Sequence, residues 1–158
     1  MAEFDEFFAQ HYRRVVAALD VALLDRSLAE DATQEAFLRA LRRWRSVAHL
    51  DRPATWVYVV AMREARRQLN RRRHQPSEAE KTDAIDIAVE VAEGLPLREA
   101  LAALPPRQRQ AVTLRFLADL PVADIARAMG CRPGTVKSTL HAALANLRVE
   151  LDDNEGEP

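Results

Sequence analysis

The chain of 158 residues holds one cysteine, Cys131, and only four glycines. A single cysteine excludes an intrachain disulfide and a cysteine-rich zinc site. So few glycines argue against a turn-rich β-protein. No apolar run approaches the roughly 18–20 residues needed to span a bilayer, so no membrane insertion is expected. The opening MAEFDEFF is acidic and lacks the basic start and apolar stretch of a secretion signal. His11, His49, His74 and His141 are scattered, with no spacing suited to a metal. No Gly-rich phosphate loop is present. Catalysis, a cofactor and a metal site are therefore not expected. What is there, 48% hydrophobic and 30% charged residues, belongs to a chain that folds. It reads as a cytoplasmic, mostly helical protein.

The net charge of −1 conceals a segregation. Residues 1–75 carry +4, residues 76–96 carry −5, residues 97–151 carry +4 and the tail 152–158 carries −4. The expected fold class is all-α, with two small helical domains (1–75 and 97–151) joined by an acidic linker (76–96) and followed by an acidic tail. Each block is small for an independent core. The block charges permit nucleic-acid binding that the overall balance hides.

Helical spacing of Phe4, Phe7, Phe8, Tyr12, Val15, Val16, Leu19 and Leu23 predicts a first helix over 3–24. Ser27 and Glu30 form a capping-box pair for a second helix ending near 43. Its apolar stripe is Leu28, Ala32, Ala36, Phe37, Ala40, Leu41 and Trp44; its other face carries Asp31, Gln34, Glu35, Leu38 and Arg42. Asp51 and Pro53 open a third helix running to about 73, with Val57, Val60, Ala61, Ala65 and Leu69 inward. In the linker Ile85, Ile87, Val89 and Val91 alternate like a strand without a partner strand, so a connector is expected there. The second block reads as helices over 97–104, 107–117, 122–129 and 133–151. Val112, Leu114, Phe116 and Leu117 supply apolar surface on the second of these. Val136, Leu140, Ala143, Leu144, Leu147 and Leu151 form the buried stripe of the last.

Two of these helices carry recognisable chemistry. Ala126, Gly130 and Val136 have helix-turn-helix spacing. A small residue lets two helices cross, a glycine supplies the positive φ of the turn, and a β-branched residue packs the second helix on the first. Ile125, Met129 and Leu140 complete that small core. Arg132, Thr135, Lys137, Ser138 and His141 then lie where a recognition helix meets the major groove. Cys131, in the turn, reads as a small packing residue rather than a reactive thiol. On the third helix Arg63, Arg66, Arg67, Asn70 and Arg71 recur along one side, suited to tracking phosphates. Trp44, His49, Trp56 and Tyr58 precede them, and flat rings beside a basic groove are what single-stranded bases stack on. Trp44 fits a core position better. The Arg/Glu pairs read as surface charge.

Together these residues resemble a bacterial sigma factor of the extracytoplasmic-function (ECF) type, in the sigma-70 superfamily. LAEDATQEAFLRALRRW (28–44) and ATWVYVVAMREARRQLNRRR (54–73) are similar to helices of that family's first domain, region 2. LREALAALPPRQRQAVTLRFLADLPVADIARAMGCRPGTVKSTLHAALANLR (97–148) is similar to its C-terminal domain, region 4. The resemblance implies a factor that binds core RNA polymerase, directs it to −10 and −35 promoter elements, and assists melting. It implies that Asp31, Gln34, Glu35 and Leu38 dock on the β′ clamp. Arg45, His49 and Arg52 in the loop 45–52, together with Trp56, would capture flipped −10 bases while Arg63, Arg66 and Arg67 hold phosphates. Arg132, Thr135, Lys137, Ser138 and His141 would read the −35 element, and the second domain would touch the β flap. Many relatives are held by an anti-sigma factor, so one is expected here. The family pattern is broken in places. Met62 stands for an arginine, Arg63 for an asparagine and Arg67 for an aspartate, while Thr139 and Ala142 replace basic residues. Two fewer phosphate contacts would flatten the salt dependence by roughly 0.9 log units per charge. A free-standing helix-turn-helix regulator, or a sigma-like decoy without promoter activity, are the competing readings. The regulator would not need the acidic face at 31–38, and the decoy would bind no promoter even with polymerase present.

Overall fold

The computed structural model describes residues 1–74 and 95–156. The expected connector with its strand-like alternation lies outside them. Among the described residues there are eight helices. The first block holds α1 (Ala2–Leu23), α2 (Arg26–Arg42), α3 (Trp44–Val47) and α4 (Pro53–Arg73). The second holds α5 (Leu95–Ala103), α6 (Pro106–Phe116), α7 (Val122–Met129) and α8 (Pro133–Glu155). The all-α expectation with two helical domains holds. α8 runs four residues into the expected acidic tail, and the one-turn α3 is additional to the expected helices.

Local chemistry sets the ends. Pro53, Pro106 and Pro133 each sit in a first helical turn, where a missing N–H costs nothing. Leu24 adopts a left-handed conformation (φ 53°) and returns its N–H to the Asp20 carbonyl, which closes α1. Asp25 is then extended, and its carboxylate accepts from the Leu28 N–H at 2.9 Å. This corrects the capping box expected at Ser27. The sharp turn at Leu24 puts Asp25, not Ser27, at the cap position, and Glu30 bonds Arg26 instead at 2.9 Å.

Leu19, Leu28, Val57 and Met62 are buried where α1, α2 and α4 meet, and the same apolar cluster continues through Leu114, Leu120, Ile125, Met129 and Val136. The two blocks thus share one core, with α1 against α6 and α4 against α7. Sharing offsets the small size of each block. A second cluster joins Val21 of α1 to Leu101, Leu104, Val112 and Ala143. Polar ties cross the same seam. Arg109, 7% exposed, donates to the carbonyls of Ala22 (3.0 Å) and Leu104 (3.1 Å). It thereby satisfies an orphan carbonyl at the end of α1, whose own last turn has no basic residue.

Two side chains expected in inward apolar stripes, Leu41 and Leu144, are exposed. Successive helical positions diverge by about 100°, so Ala40 and Ala143 take the core-facing places and their neighbours Leu41 and Leu144 turn outward. Phe116, at the last position of α6, is uncovered in the same way. No described helix is long and apolar enough to cross a membrane.

Candidate nucleic-acid interface

A cavity of about 740 Å³ lies between α2 and α4, rimmed by Arg39, Arg42, Arg43, Arg63, Arg66 and Arg67. Trp56, Val60, Glu64 and Asn70 complete it. Of the α4 contributors, those at 56, 60, 63, 67 and 70 have the spacing that places residues on one helical face, with Glu64 and Arg66 flanking them. Among the described residues, Glu64 is the only acidic one lining the cavity. Its Oε2 accepts from Arg39 Nη2 at 3.0 Å, and Arg67 Nη2 lies 2.9 Å from Oε1 and 2.8 Å from Oε2. Gln68 donates to Oε1 at 3.2 Å. Burial alone pushes the Glu64 carboxyl up; the hydrogen bonds of Arg67 and Gln68 and the charges of Arg67 and Arg39 outweigh it, leaving the group below its ordinary value. Arg39 also donates from Nε to Glu35 Oε1 at 2.8 Å, so it forks between carboxylates on two helices.

Arg63, Arg66, Arg67 and Trp56 therefore stand together as the sequence implies. Arg66 is half-buried, and its Nη1 donates to the Ala128 carbonyl at 3.1 Å. Burial, then the neighbouring Arg107 charge, lowers its pKa. Arg45 and His49 are exposed but do not line this cavity; Arg45 borders a second hollow of about 600 Å³ with Arg42, Arg43 and Trp44. Arg52 is turned to the second block, donating to the carbonyl (3.2 Å) and Oδ2 (3.3 Å) of Asp119. Tyr58, expected among the stacking rings, is buried instead. Trp44 packs edge-on to Phe4 (ring centroids 5.3 Å apart) and beside Phe7 (5.1 Å), the core position favoured for it.

Met62 is fully buried, so the position where the resemblance expects an arginine faces the core, and Arg63 beside it supplies the groove. Sequence reasoning missed Arg39, Arg42, Arg43 and Glu64 as cavity residues. The i,i+4 pair Glu35–Arg39 and the i,i+3 pair Glu64–Arg67 were legible signals, but reading them as surface charge was incorrect for Glu64. The bond between Arg39 and Glu64, 25 residues apart, needs the packing of α2 on α4.

On the outer side of α2, Asp31, Gln34 and Leu38 are exposed and Glu35 is half-buried against Arg39. Leu38, 47% exposed among polar neighbours, is an uncovered apolar side chain on this face. In the second block Ile125, Ala126, Met129 and Val136 are buried together, and Leu140 packs against them. Gly130 turns between α7 and α8 at φ 64°, a left-handed conformation that glycine adopts freely. Arg107 donates to the Met129 carbonyl at 3.1 Å and braces that turn. Arg132, Thr135, Lys137, Ser138 and His141 are all exposed along the first turns of α8. Ser138 Oγ donates to the Thr135 carbonyl at 3.0 Å. Cys131 is partly buried and packs against the core. Among the described residues no group of three or more His, Cys, Asp or Glu is placed to hold a metal ion.

Comparison with known proteins places this geometry. The sequence profile of "Sigma-70 region 2" matches residues 7–75, and that of "Sigma-70, region 4" matches residues 94–147. The RNA polymerase sigma-E factor of Streptomyces avermitilis is 30% identical over 156 residues, covering 97% of this chain and 87% of the relative. The ECF RNA polymerase sigma factor SigM of Mycobacterium tuberculosis is 29% identical over 147 residues, covering 91% and 74%. The solved Bartonella quintana sigma factor RpoE, crystallised with the anti-sigma factor NepR, superposes with a TM-score of 0.74 at 21% identity, over 96% of this chain and 98% of that one. That likeness is one of fold. Both regions match in order, on the two helical blocks that bear the arginine cavity and the helix-turn-helix, and the chain belongs to the sigma-70 family of RNA polymerase sigma factors, in its extracytoplasmic-function group.

Proposed function

We propose that the protein binds core RNA polymerase in the cytoplasm and directs it to promoters with separate −10 and −35 elements, with no catalysis of its own. The observation that carries this reading is the two-sided α2–α4 pair. One side exposes Asp31, Gln34 and Leu38, with Glu35 half-buried, and the other walls the arginine cavity with Trp56. The outer side docks on the β′ clamp. The cavity side holds phosphates with Arg63, and Trp56 stacks an unstacked base. Arg45 and His49 border the path of the melted strand. Arg132, Thr135, Lys137, Ser138 and His141 read the −35 element in the major groove, and the second block rests on the β flap.

Reading two separate elements requires the blocks to part. In the packed arrangement Arg66 is spent on the Ala128 carbonyl and Arg52 on Asp119, so parting releases both for DNA. The domain division at 1–75, 76–96 and 97–151 follows from the same requirement. An anti-sigma factor that holds the blocks together would keep the protein silent, as a partner of that class accompanies the Bartonella relative.

The test replaces Asp31, Gln34 and Glu35 by Ala and measures affinity for core polymerase. At least about a tenfold loss is expected, as for central residues of an interface. A folded triple variant that binds core polymerase as the natural protein does would refute the docking.

A further inference from the structure

Glu64 poses a physical question. A groove built only to neutralise phosphates gains nothing from a carboxylate, and burying one is unfavourable unless its partners are close. Yet the Glu64 side chain is 5% exposed and occupies both oxygens with Arg39, Arg67 and Gln68. Removing such a group from water to hold two arginines makes sense if those arginines must be kept from something else. Among the described residues, no carboxylate pairs with the rim arginines Arg42, Arg43 and Arg63, and the remaining one, Arg66, donates to the Ala128 carbonyl.

We propose that Glu64 is a positioning residue that withholds Arg39 and Arg67 from nucleic-acid phosphates. It divides the five rim arginines other than Arg66 into two classes. Arg42, Arg43 and Arg63 neutralise phosphates. Arg39 and Arg67 are fixed as walls whose hydrogen-bonding edges are set by the carboxylate. The physical effect is to limit counterion release, which drives binding to any sequence, while keeping the cavity's shape for the base that enters it. This departs from the phosphate role that the resemblance implies for Arg67, and it rests on the reading of the cavity as a nucleic-acid surface.

The test measures binding of the full chain to a single-stranded oligothymidine by fluorescence anisotropy across a salt series. Replacing Glu64→Gln keeps the shape but removes the charge, freeing two arginines. The slope of log affinity against log salt should steepen by about 1.4, at ~0.7 per phosphate on single strands. Adding Arg67→Gln to that variant should return about half of the change, and Glu64→Asp should restore the natural slope. A purely structural role would lower the melting temperature and leave the slope alone, which would overturn the proposal.

If Glu64→Gln does not fold, the double variant Arg39→Gln/Arg67→Gln with Glu64 intact decides. An unchanged slope supports the proposal, and a slope shallower by about 1.4 overturns it. No measurable binding by the natural chain would overturn both this proposal and the nucleic-acid reading of the cavity. Binding with slopes that ignore Glu64 would overturn this proposal alone. Core-polymerase affinity is not measured here, so a failure of docking on the clamp stays separate.

Discussion

Gly130 offers a sharp test of the packed arrangement, because two independent effects meet there. At φ 64° an alanine carries the left-handed penalty of roughly 1–2 kcal/mol, partly offset by the lower entropy of its unfolded chain, for a net of about 1 kcal/mol. A Cβ on Gly130 would also stand 2.6 Å from Arg66 Nη2 and 2.7 Å from Nη1. The guanidinium is the mobile end of a long side chain, so it moves aside rather than the backbone. Moving it breaks the 3.1 Å bond to the Ala128 carbonyl, a charged hydrogen bond worth about 1.5 kcal/mol at such a half-exposed site. Gly130→Ala should therefore cost about 2.5 kcal/mol, or roughly 5–10 °C in melting temperature for a chain of this size. In an Arg66→Ala background the second part is already gone, and the same substitution should cost only about 1 kcal/mol. Urea unfolding followed by circular dichroism at 222 nm gives all four corners of the cycle, provided the slopes match. A coupling near zero would mean that Arg66 does not sit over the turn, and that the two blocks do not pack together in the free protein.

Two further outcomes follow from groups that bind the fold together. Asp20 is buried with one carboxylate oxygen lacking a hydrogen-bond partner, and burial raises its pKa against the pull of Arg26 and Arg98. A group with a raised folded pKa stabilises the fold below its ordinary value and loses that contribution as pH rises through the raised one. Asp20→Asn should thus melt higher than the natural protein near pH 7, with the gain shrinking toward about pH 4; a gain that grows on acidification would contradict the sign. Arg109→Gln leaves the Ala22 and Leu104 carbonyls without their shared donor and should cost about 2–4 kcal/mol by urea unfolding, whereas a loss under about 0.5 kcal/mol would show that the seam does not depend on it.

Much of this was legible in the chain order itself. Periodicity of apolar residues located the long helices, and prolines at 53 and 133 marked two of their starts, because these signals act within a turn or two of backbone. The helix-turn-helix was legible for the same reason: Ala126, Gly130 and Val136 lie within a span where helix geometry alone dictates who meets whom. The arginines at 63, 66 and 67 share a helical face by arithmetic. The capping of α2 was misread because the choice between Asp25 and Ser27 turns on a left-handed Leu24, which leaves no mark in composition. Which of Ala40 and Leu41, or Ala143 and Leu144, faces inward depends on the neighbouring helix and not on hydrophobicity.

The sequence by itself determined the helical blocks, their basic charge, the polar face of α8 and the family to which these belong, since each is written in local spacing and residue type. Only tertiary structure decided that the blocks share a core, that Arg66 and Arg52 are engaged across the seam, and that Glu64 lies buried between Arg39 and Arg67. Those facts join residues dozens of positions apart. Their energies come from desolvation and close contact, which exist only once helices have been brought together.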